Sequence, residues 1–124
     1  MPASPLVLIV DDNALNRKLA RDVLDAAGLR TLEAATAAEA IALATAQLPD
    51  VVLMDLRLPD LGGTEAARAL GADPRTSRIP IVAMTAQRLD PGDGWLFEAG
   101  FAGAIAKPID IDTFPGLVRG FCFP

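Results

Sequence analysis

Val51-Val52-Leu53-Met54-Asp55 is the stretch of the sequence that decides the fold. Its four consecutive apolar residues, two of them β-branched, are typical of a strand buried on both faces, as in a parallel sheet covered by helices. Asp55 then stands at the carboxyl end of this strand. In open parallel sheets, that edge is where ligands bind.

Three further apolar runs also end in a polar or charged residue. Leu6–Val10 leads into Asp11 and Asp12, Ile81–Met84 leads into Thr85, and Ala104–Ala106 leads into Lys107. Because the carboxyl ends of parallel strands share one edge of a sheet, these side chains should meet. The sequence therefore predicts one cleft that contains three carboxylates, a hydroxyl and an ammonium.

Helical patterns separate the strands, and a weaker second strand is predicted at Arg30–Ala34. This alternation of five β-α units predicts an α/β three-layer sandwich with right-handed crossovers. Helices are predicted from after Asn13 to about Ala27, from Thr36 to before Pro49, over about Thr64–Leu70, over about Trp95–Ala99, and from near Asp112 through Phe121. The fourth helix should be short, because Asp90-Pro91-Gly92-Asp93-Gly94 disfavours regular structure before it.

Local signals predict how the helices begin, end and pack. Gly28 should end the first helix, and Thr36 with Glu39 three residues later forms a capping box for the second. Pro115 is tolerated only within the first turn of the last helix. The first helix is predicted to carry one apolar stripe, formed by Leu15, Leu19, Val23 and Ala27.

The length of 124 residues predicts a single domain with its core at about 6–121 and no output domain. The net charge of −5 argues against nucleic acid and anionic membranes as partners and favours proteins. With no apolar run of ~20 residues and no signal peptide, a cytoplasmic location is predicted. The single cysteine, Cys122, fits a reducing compartment and a buried position. The absence of histidine excludes His-based metal sites and triads.

The predicted cleft has the chemistry to take up a phosphoryl group. Three neighbouring carboxylates repel one another unless a cation neutralises them, and an all-oxygen site of this kind favours Mg²⁺ over Ca²⁺. Asp55 would be the nucleophile. The Thr85 hydroxyl and the Lys107 ammonium would contact the oxygens of the incoming phosphoryl group.

The chain closely resembles the receiver domains of two-component response regulators. The matching pieces are Val10-Asp11-Asp12-Asn13, Leu53-Met54-Asp55 with Pro59 and Gly63 behind it, Met84-Thr85-Ala86, and Gly103 through Lys107-Pro108. In this order and at these spacings they form a strong signal, and the resemblance covers about Leu6 to Phe121. It implies a flavodoxin-like fold with the strand order 2-1-3-4-5.

The resemblance also implies a role for each residue of the cleft. Asp55 would be the phospho-acceptor, and Thr85 and Lys107 would contact the phosphoryl group. The implied Mg²⁺ ligands are Asp12, Asp55 and the backbone carbonyl of Arg57, with Asp11 acting directly or through water. The Lys107-Pro108 bond should be cis, and Ala86 supplies the small side chain that leaves the phosphate accessible.

One position departs from the family pattern. Receivers usually carry Tyr or Phe three residues before the lysine, but this chain has Ala104 there and no tyrosine at all. We hypothesise that Phe97 or Phe101 fills the space, or that the segment from Asp90 to Ala99 moves instead. Arg57 and Gln87 lie at positions that tune phosphoryl loss in the family.

By this resemblance a histidine kinase or histidine phosphotransfer protein supplies the phosphoryl group. The downstream partner would be a protein bound at the face of the fourth helix, fifth strand and fifth helix. The chain looks most like a stand-alone receiver of the DivK type or the receiver module of a hybrid kinase. A pseudo-receiver that binds partners without phosphorylation is an alternative. A Mg²⁺-dependent phosphatase similar to haloacid dehalogenases is another, although Arg57 stands where those enzymes need an aspartate.

Overall fold

The computed structural model describes residues 4–58, 62–85 and 98–122. The strands and helices in these residues are β1 Leu6–Val10, α1 Ala14–Ala26, β2 Arg30–Ala34, α2 Ala37–Gln47, β3 Val51–Asp55, α3 Gly63–Ala72, β4 Ile81–Thr85, β5 Gly103–Ala106 and α4 Phe114–Cys122. Most of the helix predicted at about Trp95–Ala99 lies outside the described residues, and so do Pro59, Ala86, Gln87 and Phe97. None of the helices in the described residues has the length and hydrophobicity of a membrane span.

The five strands form one parallel sheet in the order β2-β1-β3-β4-β5, which confirms the prediction. Every residue of β3 is buried, as its apolar sequence indicated. The chain crosses from β2 on one side of β1 to β3 on the other, so the strand order reverses between β1 and β3. In sheets of this type, ligands bind at the carboxyl ends beside such a reversal.

The core lies on both faces of the sheet, because successive side chains of a strand point to opposite faces. One face packs Leu8, Val52 and Ala83 beneath α2 and α3. The other packs Val7, Leu53, Val82, Leu24, Phe114 and Val118, which joins the strands to α1 and α4. The predicted three-layer sandwich is therefore confirmed.

The apolar stripe predicted for α1 is partly wrong. Leu15 and Leu19 are 77% and 43% exposed, and the buried residues of the helix are Ala20 and Leu24. The first turns of α1 lie beside the carboxyl ends of the strands, and the Leu15 side chain there is mostly exposed to solvent. Only further along, at Val23 and Ala27, does the predicted stripe border the core.

The helix ends follow the predicted signals. Gly28 has φ +89°, and the N–H groups of Gly28 and Leu29 donate to the Asp25 and Leu24 carbonyls at the end of α1. The Thr36 side chain accepts from the Glu39 N–H at the start of α2. Pro115 lies in the first turn of α4.

Cys122 ends α4 and is half-buried rather than fully enclosed. Burial, together with the nearby charge of Asp50, raises the pKa of its thiol to about 11. The group is therefore a neutral thiol at physiological pH, in keeping with a small apolar side chain.

Candidate functional site

Four strand ends supply the predicted side chains to one cleft. Asp11 follows β1, Asp55 ends β3, Thr85 ends β4 and Lys107 follows β5. The cleft, of about 560 Å³, is lined by Asp11, Asp12, Asn13, Asn16, Asp55, Leu56, Arg57, Met84, Thr85 and Lys107. Every site residue predicted from the sequence is therefore present in the same cleft.

The three carboxylates of the cleft lie close together. Asp11, Asp12 and Asp55 each offer an oxygen, and these oxygens lie within 4.8 Å of one another. Asp11 and Asp55 are buried, whereas Asp12 is exposed. In the described part of the chain, Lys107 pairs with the two buried ones, its Nζ lying 2.9 Å from Asp11 Oδ2 and 3.2 Å from Asp55 Oδ2.

Backbone groups orient the two buried carboxylates. The Asn13 N–H donates to Asp11 Oδ1 at 2.9 Å, and the Arg57 N–H donates to Asp55 Oδ1 at 2.9 Å. Each carboxylate thus accepts from the residue two positions later, which folds the chain back at the strand end. The second oxygen of each carboxylate is left to face Lys107.

Asp11 and Lys107 are both stabilised in their ionised forms. Burial by itself raises the pKa of Asp11, but hydrogen bonds from the Asn13 N–H and the Lys107 ammonium outweigh burial and leave this pKa lowered. Burial by itself lowers the pKa of Lys107, yet the hydrogen bond to Asp11 and the charges of Asp55 and Asp11 leave it raised. The carboxylate of Asp11 and the ammonium of Lys107 therefore stabilise one another.

The donor set fits a hard divalent cation. In an octahedral Mg²⁺ shell with bonds of about 2.1 Å, neighbouring oxygens lie about 3.0 Å apart and opposite ones about 4.2 Å, so carboxylate oxygens within 4.8 Å would move closer together to share one ion. One ammonium balances one of the three carboxylates and leaves two negative charges for a divalent ion. The all-oxygen donors favour Mg²⁺ over softer metals.

Gly63 allows the start of α3 to lie close to the end of β3. A Cβ at Gly63 would lie 2.5 Å from the backbone oxygen of Asp55 and 3.0 Å from the Cα of Leu56. Real side chains do not make such contacts with backbone, so glycine is required there. On the other side of the cleft, the Lys107 N–H donates to the Thr85 carbonyl at 2.8 Å, and the Lys107-Pro108 bond is cis as expected.

Two residues near the site were missed by the sequence reasoning. Asn16 lines the cleft, and Arg17 donates from Nη1 to the Asp11 backbone carbonyl at 2.7 Å. Both follow the helix cap Asn13 by one turn, and this spacing is the signal that could have found them.

Ala104, which stands where receivers usually carry Tyr or Phe, lies in β5. Ala104 pairs with Ala83 of β4, and its side chain is exposed. Phe101 is buried in the core on the face shared with Ala83. Phe97 lies outside the described residues, so the hypothesis that either ring replaces the missing aromatic stays a prediction.

Residues 7–119 match the family model of the response regulator receiver domain. Because the match spans nearly all of the sheet and the cleft, the chain belongs to this family. The fold is accordingly the flavodoxin-like fold of receiver domains in two-component systems.

The relatives with known names include DivK proteins. The chain is 36% identical over 121 residues to the polar-differentiation response regulator DivK of Brucella anthropi, covering 98% of this chain and 97% of the relative. It is 35% identical over 115 residues to the DivK of Brucella ovis, covering 93% and 94%.

Solved receiver structures have the same fold. The chemotaxis protein CheY4 of Vibrio cholerae is 26% identical and superposes with a TM-score of 0.89, covering 96% of this chain and 99% of that one. The receiver domain of a Pseudomonas aeruginosa sensor histidine kinase is 32% identical, with a TM-score of 0.87 and coverage of 98% and 100%. That structure has a magnesium ion coordinated in its active-site cleft.

Proposed function

We propose that this chain is a phosphorelay receiver that accepts a phosphoryl group on Asp55 and signals through protein partners. The observation that carries the proposal is the pairing of Lys107 with both Asp55 and Asp11 at the carboxyl ends of three strands. Membership of the receiver family supports it. A histidine kinase or histidine phosphotransfer protein would supply the phosphoryl group.

In the proposed reaction, a carboxylate oxygen of Asp55 attacks the phosphorus of a phosphohistidine. The new O–P bond forms as the P–N bond breaks, and the donor imidazole leaves with its electron pair and takes up a proton. Asp55 is suited to this role because the Arg57 N–H fixes one of its oxygens at 2.9 Å while the other faces the cleft. Positioning of this kind supplies much of the catalysis in phosphoryl transfer.

Lys107 and Thr85 would contact the negatively charged oxygens of the phosphoryl group. Lys107 Nζ lies 3.2 Å from Asp55 Oδ2. If the phosphoryl group is attached to this oxygen, one of the phosphoryl oxygens would lie within hydrogen-bonding reach of the ammonium. Thr85 ends the neighbouring strand β4 and would contact another phosphoryl oxygen through its hydroxyl. These two residues are proposed to stabilise the aspartyl phosphate after transfer.

Mg²⁺ would be held by Asp12, Asp55 and the backbone carbonyl of Arg57, with Asp11 acting directly or through water. When bound, it neutralises the negative charge shared by the carboxylates and the phosphoryl oxygens. The cleft of about 560 Å³ has room for an ion with several waters, each of about 30 Å³. The magnesium ion in the Pseudomonas aeruginosa receiver lies in the corresponding kind of cleft.

The proposed function is tested with a small acyl phosphate as donor. In the presence of Mg²⁺, the protein should gain one phosphoryl group, detected by intact mass spectrometry. Asp55→Asn should abolish the adduct, whereas Glu65→Gln, a change on the exposed side of α3, should retain it. The target would then bind more tightly to the phosphorylated form at the face of the predicted fourth helix, β5 and the last helix.

A pseudo-receiver is the second candidate, and the exposed Ala104 favours it because this chain lacks the aromatic side chain usual at that position. This candidate predicts no adduct from acyl phosphate or from phosphorylated histidine proteins. An adduct that needs Asp55 would exclude it. Steady release of phosphate from many substrates would instead indicate a phosphatase.

A further inference from the structure

Arg17 connects the helix α1 to the backbone between the two neighbouring carboxylates. Its Nη1 donates to the Asp11 carbonyl oxygen at 2.7 Å. That oxygen belongs to the peptide group that joins Asp11 to Asp12. A contact with this oxygen therefore limits the rotation of the peptide group that lies between the Cα atoms of Asp11 and Asp12.

Glu33 on β2 holds the guanidinium of Arg17 in place. Arg17 Nε lies 3.4 Å from Glu33 Oε1, and Arg21 Nη1 lies 2.9 Å from Glu33 Oε2. The side chains of Arg17 and Glu33 are only 19% and 30% exposed, so solvent screens their pairing incompletely. The planar guanidinium can satisfy a carboxylate and a carbonyl at the same time, which an ammonium cannot do with the same geometry.

The backbone of Asp11 is thus held from two sides. Its N–H donates to the Ala34 carbonyl of β2 at 3.1 Å, and its carbonyl accepts from Arg17. Asp12, the next residue, is exposed, so no packed core fixes its side chain. The direction of the Asp12 carboxylate depends on the orientation of the peptide before it.

We propose that Arg17 is a positioning residue, which sets the Asp11-Asp12 peptide so that both carboxylates face the cation of the cleft, with Glu33 as its anchor. The inference deepens the proposed function and rests on it. Arg17 does not touch the reacting atoms, and its effect is expected on metal affinity rather than on the chemistry of Asp55.

Two physical effects of Arg17 have opposite signs, and this makes the proposal testable. A positive charge near the cleft repels Mg²⁺, so its removal would tighten binding if charge were all that mattered. Loss of the positioning contact would weaken binding instead. Because groups that orient metal ligands are often worth tenfold or more in affinity, we expect Arg17→Met to weaken Mg²⁺ binding by about three- to tenfold.

The experiment measures Mg²⁺ binding to the full chain by calorimetry, for wild type, Arg17→Met, Arg17→Lys, Glu33→Gln, Lys18→Met and Asp12→Asn. Arg17→Lys should recover part of the affinity, because an ammonium can still donate to the Asp11 carbonyl. Glu33→Gln should give an intermediate loss. Lys18→Met removes a charge from the exposed side of α1 and should bind Mg²⁺ at least as tightly as wild type.

Two further measurements separate positioning from a general loss of structure. Phosphorylation of Arg17→Met by acyl phosphate should be slow at low Mg²⁺ and recover at saturating Mg²⁺, which global destabilisation would not produce. In the metal-free protein, the amide resonances of Asp12 and Asn13 should shift in Arg17→Met and not in Lys18→Met. Unfolding curves without metal verify that each variant is folded.

The outcomes are distinct. Equal or tighter Mg²⁺ binding by a folded Arg17→Met variant overturns the role of Arg17 and leaves the proposed function standing. Failure of the wild type to bind Mg²⁺, or binding that is unaffected by Asp12→Asn, overturns the proposed function itself. Weaker binding with partial rescue by Arg17→Lys supports the positioning role.

Discussion

Lys107, which follows β5, contacts the carboxylate that follows β1 and the carboxylate that ends β3. Its ammonium donates to Asp11 and Asp55 at the same time, at 2.9 and 3.2 Å. One cation shared between two buried carboxylates reduces their mutual repulsion without cancelling their charge. The pKa of Asp11 reports on this balance directly.

We predict that Asp11 titrates below its ordinary pKa of 3.8 and that Lys107→Met raises its pKa. Since the folded pKa is lowered, ionised Asp11 stabilises the fold above pH 3.8, and this contribution is lost as the pH falls through the lower folded value. Carboxyl ¹³C NMR titration measures the shift. Lys18→Met should leave the Asp11 curve unchanged, and an Asp11 midpoint above 3.8 in the wild type would contradict the prediction.

Gly63 allows a second prediction at the level of one residue. Gly63→Ala should lower the free energy of unfolding by about 1–3 kcal/mol, because its Cβ would overlap the backbone at Asp55 and Leu56. Gly71 lies in the same helix, and a Cβ there would meet nothing within 4 Å. Gly71→Ala is thus the matched control and should stabilise by up to about 1 kcal/mol. Urea unfolding compares the two variants, and equal effects would refute the argument.

At the level of elements, the strands and the bounds of α1 were well predicted from the sequence, whereas the buried side of α1 was predicted only in part. Runs such as Leu6–Val10 and Val51–Asp55 are apolar at nearly every position. Because both faces of such a strand are apolar, it is suited to the interior of a sheet that helices cover on both sides. In α1, leucines occupy more than one side of the helix, at Leu15, Leu19 and Leu24. The sequence pattern alone does not tell which side meets the sheet, because that depends on the rotation of α1 about its axis. How far the helix extends past the strand ends then decides which of its turns are covered.

The packing of α1 gives a prediction that separates the two sides of the helix. Leu24→Ala should cost about 2–5 kcal/mol of unfolding free energy, because the side chain is fully buried between α1 and the sheet. Leu15→Ala should change stability by less than about 0.5 kcal/mol, since Leu15 is mostly solvated. Chemical denaturation measures both, and a large loss for Leu15→Ala would show that the first turn is packed after all.

For the whole molecule, topology explains how far the site could be predicted. A parallel sheet brings its carboxyl ends together, so Asp11, Asp55, Thr85 and Lys107 could be assigned to one cleft from their positions after apolar runs. The contact of Arg17 with the Asp11 carbonyl could not, because it depends on the rotation of α1 and on Glu33 from β2. The spacing of Arg17 from the helix cap Asn13 places it near the site, but this spacing alone does not assign the contact.

Metal binding should be visible as a change in the stability of the whole domain. At a free Mg²⁺ concentration of 100 times the dissociation constant, the folded state should gain about 2.7 kcal/mol, and chelation should remove it. Asp12→Asn should lose most of this gain, whereas Glu65→Gln should keep it. Thermal unfolding with and without Mg²⁺ provides the measurement. An equal gain in Asp12→Asn would show that the ion binds elsewhere.

Leu48 closes α2 with a left-handed backbone, φ +47°, and its side chain is largely exposed. A branched residue in this conformation costs about 1–2 kcal/mol, which asparagine or glycine would largely avoid. Leu48 precedes β3 and so lies at the amino edge of the sheet, across the molecule from the cleft that contains Asp55. Protein engineers could therefore increase heat resistance at position 48 while leaving the opposite edge of the sheet untouched.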